Sequence, residues 1–378
     1  MKRVLLTELG NSATGDPALW AETVSRLQGM GAEVTLLHRM ADTKVFEDFE
    51  MGAIPRVQQM LPLVPHELDS VLAVVSFLKK EHPVVYSHLL EMILQHDVVA
   101  IAPGGKFLQE YAYPQALLAS CVGLEAQKTV LILHQSIGPL ELDARSRLLS
   151  EVIQKSDLVL IRDEESYKFV TRNLLKSSPN IRLTRDPLLA LSHPDPASPT
   201  FDIGVNFRLQ FNGWSSNEDL IQFLQLVKRK RPHDRILLYT TTHDLDEALL
   251  TEVENLQIPC LPKTLVAADM HRVPASCALN LTDSFHGAIF SMTSGRPVVI
   301  CQSDFGSWKL QGTFLGGGIP NRIHPGPVNP RQRKSLIRVL EKAVKNPARW
   351  LERQTRDLTS NREKLEMGWD EVMRIVSQ

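Results

Sequence analysis

The stretch TDSFHG, Thr282 to Gly287, sets a histidine beside a glycine where a strand-like run (CALNL) gives way to a short helical pattern that closes in PVVIC. Histidine is the side chain whose ordinary pKa lets it donate and recover a proton near neutral pH. The N-terminus of the helix after His286 would favour an anion nearby. A core histidine can occupy the same place, so the rest of the chain has to decide. Arg208 ends a second such run, IGVNFR. Its planar guanidinium suits bidentate recognition of a carboxylate or phosphate, although a solvated strand end would look the same.

Open α/β sheets bind ligands outside the carboxyl ends of their strands, so the polar residues after each strand-like run form the candidate set. In the first half these are Gly10, Asn11, Gly15 and Asp16 in GNSATGD, then Gly104, Gly105 and Lys106 in APGGK, then His134-Gln135-Ser136 and Arg162-Asp163. In the second half they are Asn206-Phe207-Arg208, Thr240–His243, Asp283–Gly287 and Ser303-Asp304. Each has a plainer alternative: Gly104-Gly105 as a turn, Arg162-Asp163 as an ion pair at a domain surface. The GNSATGD loop can turn backbone amides and a helix start toward an anion. Many strand ends carrying Gly, Arg, Lys or His together make a site the better account.

The elements that must position these residues alternate along the chain. Strand-like runs at Arg3–Glu8, Glu33–His38, DVVAIAPGGK, TVLILHQS and LVLIRDEES are separated by helical patterns near Pro17–Met30, Glu67–Lys80, Val84–Gln95, Gln109–Gly123 and Asp143–Lys155. Ala41–Pro65 reads as an irregular excursion. After HPDPASPT the alternation restarts with DIGVNFR, a helix near Asn217–Lys230, RILLYTTT, a helix near Asp244–Leu256, ALNLTD, a helix at Phe285–Ser294 and PVVIC. Such alternation predicts parallel sheets covered on both faces, an α/β fold of two Rossmann-like domains. The expected boundaries are 1–192, a proline-rich linker at 193–200, 201–346, and a long C-terminal helix at 347–378 packing back on the first domain.

Bulk properties fit this and exclude other classes. At 378 residues the chain can build two cores. A formal net charge of −1 argues against a protein that coats nucleic acid. Cys121, Cys260, Cys277 and Cys301 lack CxxC spacing and read as reduced, mostly buried thiols. Neither a signal peptide nor a membrane-spanning window is expected, which predicts a cytoplasmic protein. The sequence contains no nucleophilic-serine elbow, Walker loop, HExxH motif or clustered metal ligands.

The order of these pieces resembles the polysaccharide pyruvyl transferase family over roughly residues 3–345. The matches are the GNSATGD loop after the first strand, APGGK, HQSIGP, IRDEES, DPLLAL, IGVNFR and, most specifically, LTDSFHGAIFSMTSGRPVV. The resemblance implies a GT-B-like architecture with a cleft between the domains. It further implies transfer of a pyruvyl group from phosphoenolpyruvate to two hydroxyls of a sugar in a cell-surface polysaccharide or its precursor, giving a ketal and phosphate. His286 and Arg208 are then the expected catalytic pair. Ser284, Gly287, Lys309, Gly10, Asn11, Gly15, Asp16, Gly104, Gly105, Lys106 and Arg162 are expected to bind substrate. Phosphoenolpyruvate is co-substrate, no further cofactor or metal is implied, and a lipid-linked acceptor would bring the enzyme to the inner membrane face. Many members carry Arg-x-His where this chain has Ser284-Phe285-His286, so another cation is expected to serve the phosphate, Lys309 or Lys106, unless both are surface lysines. A GT-B glycosyltransferase using a nucleotide sugar is the alternative activity, and a glycan-binding protein without catalysis a third reading. The acceptor sugar, the bridged hydroxyls and the oligomeric state stay open.

Overall fold

Runs such as Val98–Ile101 (VVAI) and Leu158–Ile161 (LVLI) bury every one of their residues. A strand apolar on both faces needs cover on both faces, which helical crossovers between parallel strands provide. The computed structural model describes residues 1–9, 15–38, 44–48, 51–109, 113–175, 178–191, 198–207, 216–241, 245–264, 269–302, 324–325 and 330–377. Within them lie two parallel sheets, each with its own apolar core.

The first sheet comprises β1 (Arg3–Leu9), β2 (Glu33–His38), β3 (Arg56–Gln58), β4 (Val98–Ile101), β5 (Gly104–Phe107), β6 (Thr129–Ile137), β7 (Leu158–Ile161) and β8 (Ile181–Leu183). Its order is β3-β2-β1-β4-β6-β7-β8, with β5 alongside β6. Val4 of β1 pairs with Val34 on one side and Val98 on the other, so strand order reverses between β1 and β4. The second sheet holds β9 (Phe201–Asn206), β10 (Ile236–Thr240), β11 (Cys260–Thr264), β12 (Cys277–Thr282), β13 (Val298–Gln302) and β14 (His324–Pro325), in the order β11-β10-β9-β12-β13-β14. Here the reversal falls between β9 and β12, where Asn206 pairs with Thr282. One compact unit takes in Asp16–Pro187, the N-terminal strand and Glu363–Gln378; the other takes in Leu188–Arg362.

Helix starts sit where polar caps put them. Expected helices at Glu67–Lys80, Asp143–Lys155 and Asp244–Leu256 run instead over Val71–Glu81, Ala144–Lys155 and Glu247–Asn255. In each, a side chain just ahead (Ser70, Asp143, Asp246) accepts an orphan backbone N–H of the first turn. Ser216 and Asp219 form a capping box at Asn217–Lys230. The expected helix at Gln109–Gly123 is two pieces, Tyr113–Ala116 and Leu118–Glu125. The irregular excursion contains a short helix, Lys44–Asp48, and the edge strand β3, which follows Pro55 as an edge position tolerates. Gly104-Gly105 is no turn: Gly104–Phe107 is a strand whose side-chain-free start hides its β character from pattern reading. Most of the proline-rich linker lies outside the described residues.

The C-terminal helix spans Pro347–Val376. Within the second unit Trp350 Nε1 and Gln354 Nε2 donate to the carbonyl of Val298 at 3.0 Å each. From Glu363 onward the helix packs on the first unit, where Glu366 takes both terminal nitrogens of Arg26 at 2.8 Å and Lys2 Nζ reaches the carbonyl of Ile375 at 2.9 Å. Gly368 is required by this packing, because a Cβ there would lie 2.6 Å from Thr184 Oγ1.

Beneath that helix His134 is fully buried against Trp369, ring centroids 4.7 Å apart. It adopts φ +43°, a left-handed conformation that histidine tolerates better than branched residues do. Its Nδ1 donates to the carbonyl of Arg185 at 3.0 Å, leaving Nε2 without a hydrogen-bond partner among the described residues. Burial pushes its pKa down to about 3. Between that value and the ordinary one near 6.5 the unfolded chain binds a proton that the folded chain refuses, so stability falls as pH drops through this window. The full effect at the acid end is roughly 3–5 kcal/mol. His134→Asn tolerates the same φ and cannot titrate. Urea midpoints from pH 4 to 7 should therefore decline less toward acid in His134→Asn than in the parent, and parallel pH curves would contradict the assignment.

Candidate active site

The carboxyl ends of β9, β10 and β12 converge on a buried cluster of hydroxyls and an amide, with the buried carboxyl of Asp283 beside it. Thr282 donates its hydroxyl to Asn206 Oδ1 at 2.9 Å and accepts the Ser284 amide N–H at 3.0 Å. Asn206 Nδ2 donates to the carbonyl of Tyr239 at 3.2 Å, with Thr241 Oγ1 3.4 Å away. Ser284, extended at φ −79° and ψ 131°, caps the Phe285–Thr293 helix: its hydroxyl accepts the Gly287 N–H at 3.3 Å and lies 3.2 Å from Thr241 Oγ1. The chain thus turns from strand to helix over four residues, delivering His286 in the first helical turn.

His286 is half-buried, its ring edge-on to Phe285 at 5.3 Å. Gly287 beside it is dictated by packing. A Cβ there would come within 2.7 Å of both Asn206 Oδ1 and Thr282 Oγ1. Burial, then the neighbouring carboxylate of Asp283, push the Cys301 thiol well above its ordinary pKa, so that cysteine is no nucleophile. The cluster's amides and hydroxyls carry no formal charge, and the helix start adds partial positive charge. Asp283, fully buried one residue before the cap, is an acidic neighbour that opposes this field.

In the first unit the reversal between β1 and β4 brings together another part of the candidate set. Asp16 lies in the first turn of the Gly15–Gly29 helix. Gly104 and Gly105 open β5, and Lys106 Nζ sits 5.7 Å from the ring centroid of Trp20. Trp20 is fully buried, and its Nε1 has no hydrogen-bond partner among the described residues.

Arg162 has a different place. It is buried, its Nη1 2.7 Å from Asp186 Oδ2 and its Nε donating to Ser136 Oγ at 2.9 Å. Ser136 in turn donates to Asp163 at 2.8 Å, and Asp163 caps the Glu164–Phe169 helix through Ser166. Burial raises the Asp163 pKa despite these donors. The pairing in the sequence, Arg162 with Asp163, becomes a buried pair with Asp186 instead of a domain-surface ion pair, and it braces the ends of β6, β7 and β8.

Of the remaining expected site residues, Arg208, Lys309, Gly10 and Asn11 lie outside the described residues. Asn206 and Thr241, members of the candidate set with no role assigned, and Thr282, just outside it, prove to hold the His286 turn. Only the strand register puts them side by side, which no local pattern shows. Among the described residues, no three His, Cys, Asp or Glu side chains converge as metal ligands would.

Adding a methyl group at Gly287 must displace either Asn206 or Thr282. Gly287→Ala should cost about 1–3 kcal/mol of stability, the usual range for overpacking a tight contact. Chemical denaturation checks this, and an unchanged midpoint would mean that the helix has room above the strand ends.

Residues 14–304 match the polysaccharide pyruvyl transferase family model. No curated protein matches the chain in sequence. Among solved structures it is similar to UDP-GlcNAc 2-epimerase from Neisseria meningitidis bound to UDP-GlcNAc, at 12% identity over 99% of each chain with a TM-score of 0.62. It is also similar to Arabidopsis thaliana UGT89C1 complexed with UDP-L-rhamnose, at 10% identity over 100% of this chain and 99% of that one with a TM-score of 0.65. A glycosyltransferase from Rickettsia africae ESF-5 gives 11% identity, 99% and 97% coverage and a TM-score of 0.62. At such identities the likeness carries the fold alone, a GT-B-like α/β architecture with parallel sheets. The family match spans both sheets from the first helix to β13 and includes the Ser284-capped turn, and on that ground the chain belongs to the polysaccharide pyruvyl transferase family.

Proposed function

We propose that the protein transfers a pyruvyl group from phosphoenolpyruvate to two hydroxyls of a sugar in a cell-surface polysaccharide or its precursor. The observation that carries this reading is the turn at the β9/β12 reversal. There a capped helix presents His286 beside a buried polar strand end, within the span matched by the family. In this scheme His286 gives a proton to the methylene carbon of the donor, which becomes the methyl group. A sugar hydroxyl adds at C2 as its proton returns to His286, the C2–O bond to phosphate breaks, and the second hydroxyl closes the ketal as its proton passes to the released phosphate or solvent. Phosphoenolpyruvate serves as co-substrate, with no other cofactor. Among the described residues no helix is long and apolar enough to cross a membrane. A lipid-linked acceptor would therefore be met by peripheral contact at the inner membrane face.

The direct test is phosphate release from phosphoenolpyruvate against a panel of sugar acceptors. A nucleotide-sugar reaction is the second reading, favoured by fold neighbours whose structures hold UDP-GlcNAc or UDP-L-rhamnose. Thermal shift separates the two: phosphoenolpyruvate should raise the melting temperature and UDP-sugars should not. A rise with UDP-sugars alone would transfer the assignment to the glycosyltransferase reading.

His286→Ala should lower turnover by about 10²–10⁴-fold in a protein that melts like the parent. Near-parental turnover would move the general acid elsewhere.

The donor's charge generates a further expectation. Ser284 already serves Gly287 and Thr241, so it leaves the phosphate in need of a cation beyond Arg208. We assign that cation to Lys309, in the same half of the sequence as Arg208 and His286, and assign Lys106 to acceptor turnover. Calorimetry should find phosphoenolpyruvate bound about 1.5–3 kcal/mol more weakly by Lys309→Met, the range of a charge-assisted hydrogen bond. Arg208→Lys should also weaken it, because an ammonium cannot reproduce the guanidinium fork. Parental affinity in either variant removes that residue from the donor site.

A further inference from the structure

The carboxamide of Asn206 occupies an unusual position for a strand residue. It is almost fully buried at the end of β9, yet it is linked to both neighbouring strands and lies against the start of the helix that carries His286. Its Nδ2 is committed to β10 through the carbonyl of Tyr239. Its Oδ1 accepts the Thr282 hydroxyl of β12 at 2.9 Å, with the Thr241 hydroxyl farther off at 3.4 Å. Having given its proton to Asn206, the Thr282 oxygen is left as an acceptor, and it takes the Ser284 N–H at 3.0 Å. The chain of donors has one direction: Ser284 amide to Thr282 hydroxyl to Asn206 carbonyl oxygen. The same Oδ1 defines how near the helix can come, since it stands 2.7 Å from where a Cβ of Gly287 would be.

We propose that Asn206 is a positioning residue for His286, acting through Thr282 and the Ser284 cap. The inference rests on the pyruvyl-transfer reading for its effect on turnover, but not for its effect on the geometry of His286. Three features make a purely architectural role a poorer account. An apolar residue of similar size would serve the core without needing a donor and an acceptor aimed at two different strands. The hydrogen bonds end on the backbone that sets the direction of the helix start, two residues from the histidine. Asn280, another buried amide at this sheet, instead accepts from Tyr239 at 3.0 Å and donates to the carbonyl of Pro274 at 3.0 Å, within the body of the unit and away from the turn.

The test is a double-mutant cycle in the full-length protein. Asn206→Ala and Thr282→Val should each lower kcat by about 10–100-fold, as a displaced catalytic group does. Both should change the KM for phosphoenolpyruvate much less, and Thr282→Ser, which keeps the hydroxyl, should retain parental kcat. In a His286→Ala background the further loss from Asn206→Ala or Thr282→Val should shrink to within about twofold, because a positioning residue has nothing left to position. An equal loss in both backgrounds overturns the proposal. A second readout needs no turnover: the His286 ring signal in ¹³C-histidine NMR spectra, assigned by its absence from His286→Ala. It should move in Asn206→Ala and Thr282→Val and stay in Thr282→Ser. A stationary signal overturns the proposal, whereas a moving signal in a protein that never consumes phosphoenolpyruvate upholds the positioning role and rejects the pyruvyl-transfer reading. Should Asn206→Ala fail to fold, Thr282→Val carries every arm alone.

Discussion

A parallel sheet buried on both faces can place polar chemistry in few positions other than the edge where its strands end. Along β4, β6, β7 and β12 nearly all residues are buried. A donor or acceptor in the body of such a strand needs a dedicated partner, as Asn280 finds in Tyr239 and the carbonyl of Pro274. At the carboxyl ends the constraint inverts. Ladder hydrogen bonds run out, helix starts arrive with unsatisfied N–H groups, and polar side chains become necessary. The placement of His286, Lys106, Arg162 and Asn206 all follows from that single requirement.

The two units answer it with different chemistry. The ends of β6, β7 and β8 are filled by ions: Arg162 with Asp186, Asp163 with the hydroxyls of Ser136 and Ser166, Arg185 with Glu164 at 3.0 Å. Such pairs are costly to disturb, because removing one partner leaves a buried charge. The ends of β9, β10 and β12 hold hydroxyls and an amide that satisfy one another, with Asp283 as the buried acid beside the helix start. One strand edge is thus braced by ion pairs, while the other is held by neutral hydrogen bonds that aim a helix start.

How far the sequence could be read follows from the range of each signal. Apolar runs and capping residues act over a few positions, so the longer strands, the strand–helix alternation and the Phe285–Thr293 helix were legible, with starts corrected by Ser70, Asp143 and Asp246. Strands β3, β8, β11 and β14 were not anticipated. Nor was the Gly104–Phe107 strand, because glycine offers no side chain to show which face it buries. Neighbouring residues in extended chain point to opposite sides, which is why Arg162 finds Asp186 in place of adjacent Asp163. The candidate histidine was visible in its own hexapeptide. Its support was hidden, since Asn206 and Thr282 lie 76 positions apart and meet only through the register of β9 on β12.

The long terminal helix has a consequence for the order in which the molecule can be made. The first unit begins with the first strand but is completed by residues from Glu363 onward, whose Trp369 covers His134 and whose Ile375 carbonyl receives Lys2. A ribosome delivers the sheet of that unit early and its cover last, after all of the second unit. Until the final turns emerge, the nascent sheet must wait with the His134 surface uncovered. The unit that starts first is the one that finishes last.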